Sequence, residues 1–148
     1  MSTIIEERPT VSQTTPYGLG VTVALPYAAV VTRVRDALAA EGFGVLTEID
    51  VAATFKKKLD VDRPPYLILG ACNPPLAHQA LQLETDIGLL LPCNVIVYAT
   101  DDPVRTVVAA LDPEAALQLT GRTDIAPLAA EVKARLRRVL EAVTRPAG

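Results

Sequence analysis

Residues 66–98 read YLILGACNPPLAHQALQLETDIGLLLPCNVIVY, and this stretch decides the fold. Two short apolar runs, Tyr66–Cys72 and Cys93–Ala99, have the length and composition of buried strands. Between them, apolar residues recur at helical spacing, which predicts one amphipathic helix over about Leu76–Leu91. Both cysteines of the chain stand where this helix meets the strands, so a candidate site lies at those two junctions.

The direction of the two strands decides how far apart the cysteines lie. A parallel strand–helix–strand crossover places Cys72 and Cys93 at opposite ends of the sheet, about 20 Å apart for strands of this length. An antiparallel or curved arrangement brings the two thiols together. The residues alone leave both arrangements open, and they also allow the simpler interpretation that both cysteines are small buried hydrophobes.

The residues before this stretch predict two further strands and two helices. Apolar residues that alternate with polar ones indicate strands, whereas spacings of three and four indicate helices. Proline suits the first turn of a helix, glycine suits its end, and an aspartate in front of it acts as a cap. These signals give a strand over Gly20–Leu25, a helix between Pro26 and Gly42, a strand over Phe43–Ile49 and a short helix from Asp50 to about Leu59.

The residues after this stretch predict one more strand and two helical segments. The strand covers Arg105–Leu111, which makes about five strands in all. A short helical turn follows over Asp112–Leu119. The last helix is capped by Thr123 or Asp124 and carries an apolar stripe as far as Val143.

Composition bounds the number of domains and the class of partner. At 148 residues, half of them hydrophobic, the chain fits one domain with a sizeable core. Residues 1–16 are polar without a sustained period, so they predict a flexible N-terminal tail, followed by a single domain over 17–148. The net charge is only −3 and no long basic run occurs, which argues against a nucleic-acid partner.

The apolar runs of the sequence bear on its location. None approaches the roughly 20 residues that span a bilayer, and the first residues lack an apolar signal core, so no membrane association is predicted. Two cysteines in a chain of this length do not form a disulfide framework, so reduced thiols are expected. Together these observations predict a soluble, cytoplasmic protein.

Glu84 is the residue that fits its predicted surroundings least. It falls inside the apolar arc of the predicted helix, where a carboxylate is unfavourable unless it is paired, hydrogen-bonded or protonated. Lys58 is the lysine of its run that is placed to reach inward, so Lys58 or a backbone amide is the expected partner. A structural ion pair without chemistry explains Glu84 equally, and a solvated face explains the lysines. His78 lies about 120° from Glu84 around the helix and is predicted to be a surface residue.

Several short motifs resemble a known family. They are Tyr17-Gly18-Leu19, Ile49-Asp50 through Lys58-Leu59, LGACNP at 69–74, Ala80-Leu81 and IGLLLPCNV at 87–95. On these motifs the chain from about Tyr17 to Val143 is similar to the domain-of-unknown-function family 302. The resemblance implies a single α+β domain with a curved, mainly antiparallel, TATA-binding-protein-like sheet, helices on one face and frequent homodimers. It implies no established activity.

The resemblance also points to a set of candidate site residues. Carried over by position, the set is Lys58, Cys72, Asn73, Pro74, Glu84, Pro92, Cys93 and Asn94. The leading hypothesis is a small-molecule or metal-binding domain whose pocket is bordered by Lys58, Cys72, Asn73, Glu84, Cys93 and Asn94. If a metal binds, the two cysteines are its ligands, but their spacing is not that of a zinc knuckle. A closed four-thiolate site would then need a two-fold dimer.

Two other hypotheses fit the same residues. The first is an enzyme that uses the thiolate of Cys72 or Cys93, with Lys58 lowering the thiol pKa and Glu84 moving protons. The absence of a well-placed histidine base speaks against it. The second is a structural or interaction module that forms a homodimer, in which the polar residues only stabilise the fold. The residues name no cofactor and no catalytic group.

Overall fold

The structure, a computed structural model, describes residues 9–145 and is built on one sheet of six strands. The strands are β1 (Ser12–Thr15), β2 (Gly18–Val23), β3 (Gly44–Asp50), β4 (Tyr66–Cys72), β5 (Cys93–Ala99) and β6 (Thr106–Leu111). Every neighbouring pair is antiparallel, and the order across the sheet is β1-β2-β6-β5-β4-β3. The sheet is therefore open, with β1 and β3 at its edges.

Five helices accompany the sheet in the described range. They are α1 (Tyr27–Ala40), α2 (Val51–Leu59), α3 (Pro74–Leu83), α4 (Pro113–Leu117) and α5 (Ala126–Val143), with 3-10 segments over Thr85–Leu90 and Gln118–Thr120. The predicted single α+β domain with a mainly antiparallel sheet is confirmed, and the five predicted strands are all present. The TATA-binding-protein-like form of the sheet stays a prediction. Within residues 9–145 no helix combines the length and apolar composition needed to cross a membrane.

The sixth strand corrects the prediction of a flexible tail over residues 1–16. Ser12–Thr15 pairs with β2 along the sheet edge, with Ser12 opposite Gly20 and Thr15 opposite Gly18. Four polar residues are too few to show a strand period, but backbone pairing with β2 satisfies their amide groups regardless of side chain. Residues 1–8 of the predicted tail lie outside the described residues.

One face of the sheet carries the main core. Helices α1 and α5 contact each other and pack over this face, which we call the covered face. Because side chains alternate along a strand, every second residue of β2, β4, β5 and β6 points into this core. Its fully buried members include Leu19, Leu69, Val95, Val97 and Val108 from strands, and Val30, Leu38, Leu136 and Leu140 from helices.

A smaller apolar cluster lies beside the main core, where α3, the 3-10 segment after it, α4 and the start of α5 meet. Its buried members are Ala80, Ile87, Leu117, Ile125, Leu128 and Ala129. Residues 9–145 thus form two apolar clusters, and the candidate site lies at the junction between them.

The predicted helix over Leu76–Leu91 is in fact two segments. Helix α3 ends at Leu83, and Glu84 is extended, with φ −153° and ψ 117°, before the 3-10 segment begins. The run Glu84-Thr85-Asp86 explains the break, because threonine and aspartate are weak helix formers whose side chains compete for backbone hydrogen bonds. The wheel that placed Glu84 in a buried arc therefore does not apply.

The start of α5 also differs from the prediction. The helix begins at Ala126 behind Ile125, and no side chain caps it. Asp124, one of the two predicted caps, instead pairs with Arg122, whose Nε and Nη2 donate to the two carboxylate oxygens at 2.9 and 2.6 Å. The predicted cap of α2 is confirmed, because Asp50 accepts a hydrogen bond from Ala53 N. Asp112 caps α4 in the same way by accepting from Glu114 N.

The other face of the sheet, here called the groove face, is less buried. Paired residues share a face, so the register assigns to it Ile49, Ile68, Ile96 and Ala109, with Tyr66, Tyr98 and Val107 in the next row. Most of these side chains are half-buried, and Ile49 is 48% exposed. The face is nevertheless apolar, whereas a solvated sheet face is usually polar.

Candidate functional site

A narrow cavity of about 40 Å³ lies at the junction of the two apolar clusters. Phe43 and Ala71 line it from the main core, and Ala80, Leu117 and Leu128 line it from the smaller cluster. Cys72, Asn73 and Cys93 complete part of its wall. No lining side chain is charged, so the cavity is an apolar site with two thiols and one amide as its polar groups.

The antiparallel register explains why the two cysteines lie close together beside this cavity. Ala71 lies opposite Cys93 in the pairing of β4 with β5, so Cys72 lies one residue beyond that pair. Of the two arrangements left open by the sequence, the structure therefore shows the one that brings the strand ends together. Both cysteines are free thiols, with Cys93 buried and Cys72 half-buried.

The environment of Cys93 disfavours its thiolate. Burial raises the pKa of the Cys93 thiol to about 11, and the proximity of the Cys72 thiol acts in the same direction. A thiol with this pKa stays protonated at neutral pH, whereas nucleophilic and metal-binding cysteines act as thiolates. Cys93 is therefore suited to forming part of an apolar wall.

Asn73 has a structural task at the edge of the cavity. Its Oδ1 accepts a hydrogen bond from Leu76 N at 3.4 Å and caps the start of α3. Its Nδ2 donates to the backbone oxygen of Glu41 at 3.4 Å, and Arg135 Nη1 donates to the same oxygen at 3.0 Å. These bonds join α3 to the turn after α1.

Gly70 allows the chain to pack closely beside the cysteines. A Cβ at this position would lie 2.1 Å from Thr47 Oγ1 and 2.9 Å from Pro92 Cγ, and both distances are too short for a Cβ contact. Strand β3 also has a bulge between Val45 and Thr47, opposite this part of β4. The absence of a side chain at Gly70 therefore allows the turn at Pro92 to lie close against β4.

Glu84 does not join the cysteine cavity. It lies half-buried at the break after α3 and is close enough to Arg122 to contribute to the raised pKa of that guanidinium, behind the larger effect of Asp124. The expected pair with Lys58 is wrong, because the ion pairs of the described residues join other partners. The break in the helix removes Glu84 from the apolar arc that made a partner necessary.

Lys58 and Asn94 also lie apart from the cavity. Helix α2 has no buried residue, so Lys58 is exposed and the expectation that it reaches inward is wrong. Asn94 follows Cys93 along β5, and alternation places its exposed side chain on the groove face. The predicted set therefore divides: Cys72, Asn73 and Cys93 share one site, whereas Lys58, Glu84 and Asn94 lie elsewhere.

The described residues offer no ready metal site. Across residues 9–145, no three histidine, cysteine, aspartate or glutamate side chains lie close enough to hold a metal ion. His78, the single histidine, is exposed on α3, as predicted for a surface residue. The two thiols of one chain alone are too few ligands for a structural zinc ion.

Several residues that line the cavity were not found from the sequence. Phe43, Leu117 and Leu128 come from the turn after α1, from α4 and from α5, far from the cysteines along the chain. None of the three was a candidate site residue, because no motif links them to residues 66–98. Only the packing of the smaller cluster against the main core brings them together.

Comparisons with known proteins agree with the fold. No curated protein matches the chain. A similar solved structure is that of the uncharacterized conserved protein DUF302 from Bacillus stearothermophilus, with 27% sequence identity and a TM-score of 0.79. That match covers 87% of this chain and 98% of the other. The model of the family described as Domain of unknown function DUF302 matches residues 19–143. Because this match spans most of the sequence, the chain belongs to the DUF302 family.

Proposed function

We propose that this protein is a small-molecule-binding domain whose cavity, between Cys72 and Cys93, receives an apolar part of the ligand. The observation that carries the proposal is the cavity itself, which lies between two apolar clusters and has an almost entirely apolar lining. Ligand sites are typically apolar concavities with a few polar groups that orient the ligand. Here those groups are two thiols and the amide of Asn73.

The size and charge of the cavity define what enters it. Its volume of about 40 Å³ exceeds the roughly 10–15 Å³ needed for one water molecule but is well below the roughly 150 Å³ of a cavity that encloses benzene. The cavity therefore receives the end of an alkyl chain or the edge of a ring. A charged group would enter without a partner, so the inserted part is neutral.

The thiols act in this proposal as part of the wall. A free cysteine behaves as a small, polarizable hydrophobe, which suits contact with an alkyl group. The alternative of an enzyme with Cys93 as its nucleophile is disfavoured by the raised pKa of that thiol. Two free thiols also support the cytoplasm, a reducing compartment, as the place where the domain works.

Titration with 1-hexanol tests the cavity, with binding followed by methyl NMR of the full chain. Ala116 and Ala115 are neighbouring half-buried alanines of α4, but only Ala116 lines the cavity. The variant Ala116→Leu fills the space and should weaken hexanol binding at least tenfold, whereas Ala115→Leu should leave it unchanged. Equal binding by both variants, or no shift of cavity methyl signals in the wild-type protein, would reject the proposal.

A second candidate function, a homodimerising interaction module, is favoured by helix α2. This nine-residue helix has no buried residue, although helices of this length need tertiary packing to be stable. Phe55 and Leu59 on its apolar stripe are 38% and 65% exposed, and Leu46 on the neighbouring edge strand β3 is 65% exposed. Exposed apolar groups beside a free strand edge suit pairing with a second copy of the chain.

Sedimentation equilibrium tests this second candidate. Leu59→Lys should convert a dimer to a monomer, because it places a charge in the proposed contact. Leu119→Lys is the matched control, since Leu119 is 79% exposed but lies outside α2 and β3. A wild-type protein that is monomeric at all concentrations, or a dimer unaffected by Leu59→Lys, would reject this surface.

A further inference from the structure

The groove face of the sheet carries a second concavity, unrelated to the cysteine cavity. It has a volume of about 310 Å³ and runs over β5 and β6 toward the hairpin of β1 and β2. This volume lies within the range of about 300–1,000 Å³ typical of ligand sites. None of the residues that line it is charged. The groove is therefore an apolar and neutral site with room for a whole small molecule.

The floor and far wall of the groove follow from the register. Ala109 of β6 lies between Ile96 of β5 and Gly20 of β2, so small residues form the floor next to β5. A Cβ at Gly20 would lie 3.0 Å from Thr14 Oγ1, which shows that the Thr14 side chain folds over the glycine. Thr14 and Thr15 line the groove and form its wall on the β1 side.

A stack of flat groups forms the near wall. The rings of Tyr66 and Tyr98, directly opposite each other on β4 and β5, lie 5.4 Å apart and are inclined by only 8°. The guanidinium of Arg63 lies 5.1 Å from the ring centre of Tyr66. Since one face of Tyr66 is occupied by Tyr98, Arg63 takes the other.

The stack ends at Tyr98, whose ring lines the groove. Tyr66 has a flat neighbour on each side, whereas Tyr98 has one on the β4 side only. On β6, Val107 lies directly opposite Tyr98 and Ala109 lies one row along, so the groove meets the Tyr98 ring from the row of Ala109, where the small side chain leaves space. The exposed amide of Asn94 stands on the same strand, two rows from Tyr98, and offers a donor and an acceptor to the edge of a ligand.

We propose that this groove binds a neutral, planar aromatic molecule that stacks on Tyr98 and hydrogen-bonds to Asn94. A ligand ring that stacks, offset, on the part of Tyr98 that lines the groove adds to the series formed by Arg63, Tyr66 and Tyr98, and aromatic rings in offset contact attract each other. The absence of charge in the lining selects a neutral ligand, because an ion would lose water without gaining a partner. The site lies across the sheet from the proposed cavity and is independent of it.

The test is a titration of the full chain with quinazolin-4-one, a neutral bicyclic amide, followed by backbone NMR. The chain has no tryptophan, and three of its four tyrosines line the groove, so tyrosine fluorescence gives a second readout. We expect shifts at the amides of residues 94–98 and 109–111 and a change in fluorescence. The charged analogue quinoline-4-carboxylate should bind at least tenfold more weakly.

Matched variants separate stacking from general effects. Tyr98→Leu should weaken quinazolin-4-one binding at least tenfold, and Asn94→Ala about threefold to fivefold. Tyr27→Leu, which removes the one tyrosine outside the groove, should leave binding unchanged. No shift at the groove amides, equal binding by Tyr98→Leu, or dilution-dependent shifts showing that a second copy of the chain covers the face would each overturn the proposal.

Discussion

The two faces of strand β5 show how differently one segment is used. Cys93, Val95 and Val97 point into the covered face and are buried beneath α1 and α5. Asn94, Ile96 and Tyr98 point the other way and border a groove. Because side chains alternate along the strand, every second residue enters the core and the others line the groove, where their burial depends on what binds there. Stability resides on one face of this strand and the candidate aromatic site on the other.

The two faces should differ most in how much stability is lost when Leu69 and its neighbour Ile68 on β4 are each replaced by alanine. Leu69 is fully buried on the covered face, and Leu69→Ala should lower the free energy of unfolding by about 3 kcal/mol through lost burial and a new cavity. Ile68 is half-buried on the groove face, so Ile68→Ala should lower it by about 1 kcal/mol. Urea denaturation measures both.

Equal losses for the two variants would break the comparison. They would mean that the groove face is covered in solution as fully as the other, as in a dimer formed by that face. A concentration-dependent unfolding midpoint for the wild-type protein would point to the same conclusion.

The next largest effect is expected at Gly70, a glycine of the groove face beside which an added Cβ has no room. Gly70→Ala places a methyl group against Thr47 and Pro92, and overpacking of this kind should destabilise the protein by about 2 kcal/mol. Gly88→Ala is the control, since no atom lies within 4 Å of the added Cβ. It should change the free energy of unfolding by less than about 0.5 kcal/mol.

The free energy of unfolding should depend on pH because the Cys93 thiol is buried on the covered face. The unfolded thiol ionises near pH 8.5, whereas the buried thiol keeps its proton to about pH 11. The folded state thus binds more protons in this window, and stability falls as pH rises through it, by on the order of 1–2 kcal/mol. Cys93→Ala should remove this part of the pH dependence. Identical slopes for both proteins between pH 8 and 11 would contradict the burial of the thiol.

The smallest effect is expected at Glu84, which belongs to neither face. Its half-exposed position at the break after α3 predicts that Glu84→Gln changes the free energy of unfolding by less than about 0.5 kcal/mol. Thermal unfolding of the variant beside the wild type checks this. A decrease in the free energy of unfolding of more than about 2 kcal/mol would show that the Glu84 carboxylate is buried, as the sequence predicted.

Strand limits at the centre of the sheet were predictable because the signal there is continuous. The apolar runs at Tyr66–Cys72 and Cys93–Ala99 are bounded by prolines, and the structure has both strands with these limits. The capping aspartate Asp50 was predictable for a similar reason, since the cap and its helix are neighbours in sequence. Local chemistry is sufficient where the interaction is local.

The candidate site was harder to predict because its members meet through long-range packing. Periodicity treated residues 76–91 as one helix, so a single extended residue at Glu84 was enough to invalidate the wheel. Lys58 was predicted to reach inward, but its helix α2 has no buried residue. The groove was not predicted because the apolar runs of β4 and β5 were interpreted as buried strands, which does not distinguish the two faces of the sheet.

The strand order has a consequence for how the chain acquires its structure. Strand β2 pairs with β6, and Gly18 lies opposite Leu111, about ninety residues later in the sequence. The entropy lost in closing so long a loop must be compensated by pairing that becomes available only when β6 exists, so folding should be slow for a chain of this length. During synthesis, the N-terminal hairpin has no place in the sheet until residues 106–111 have left the ribosome.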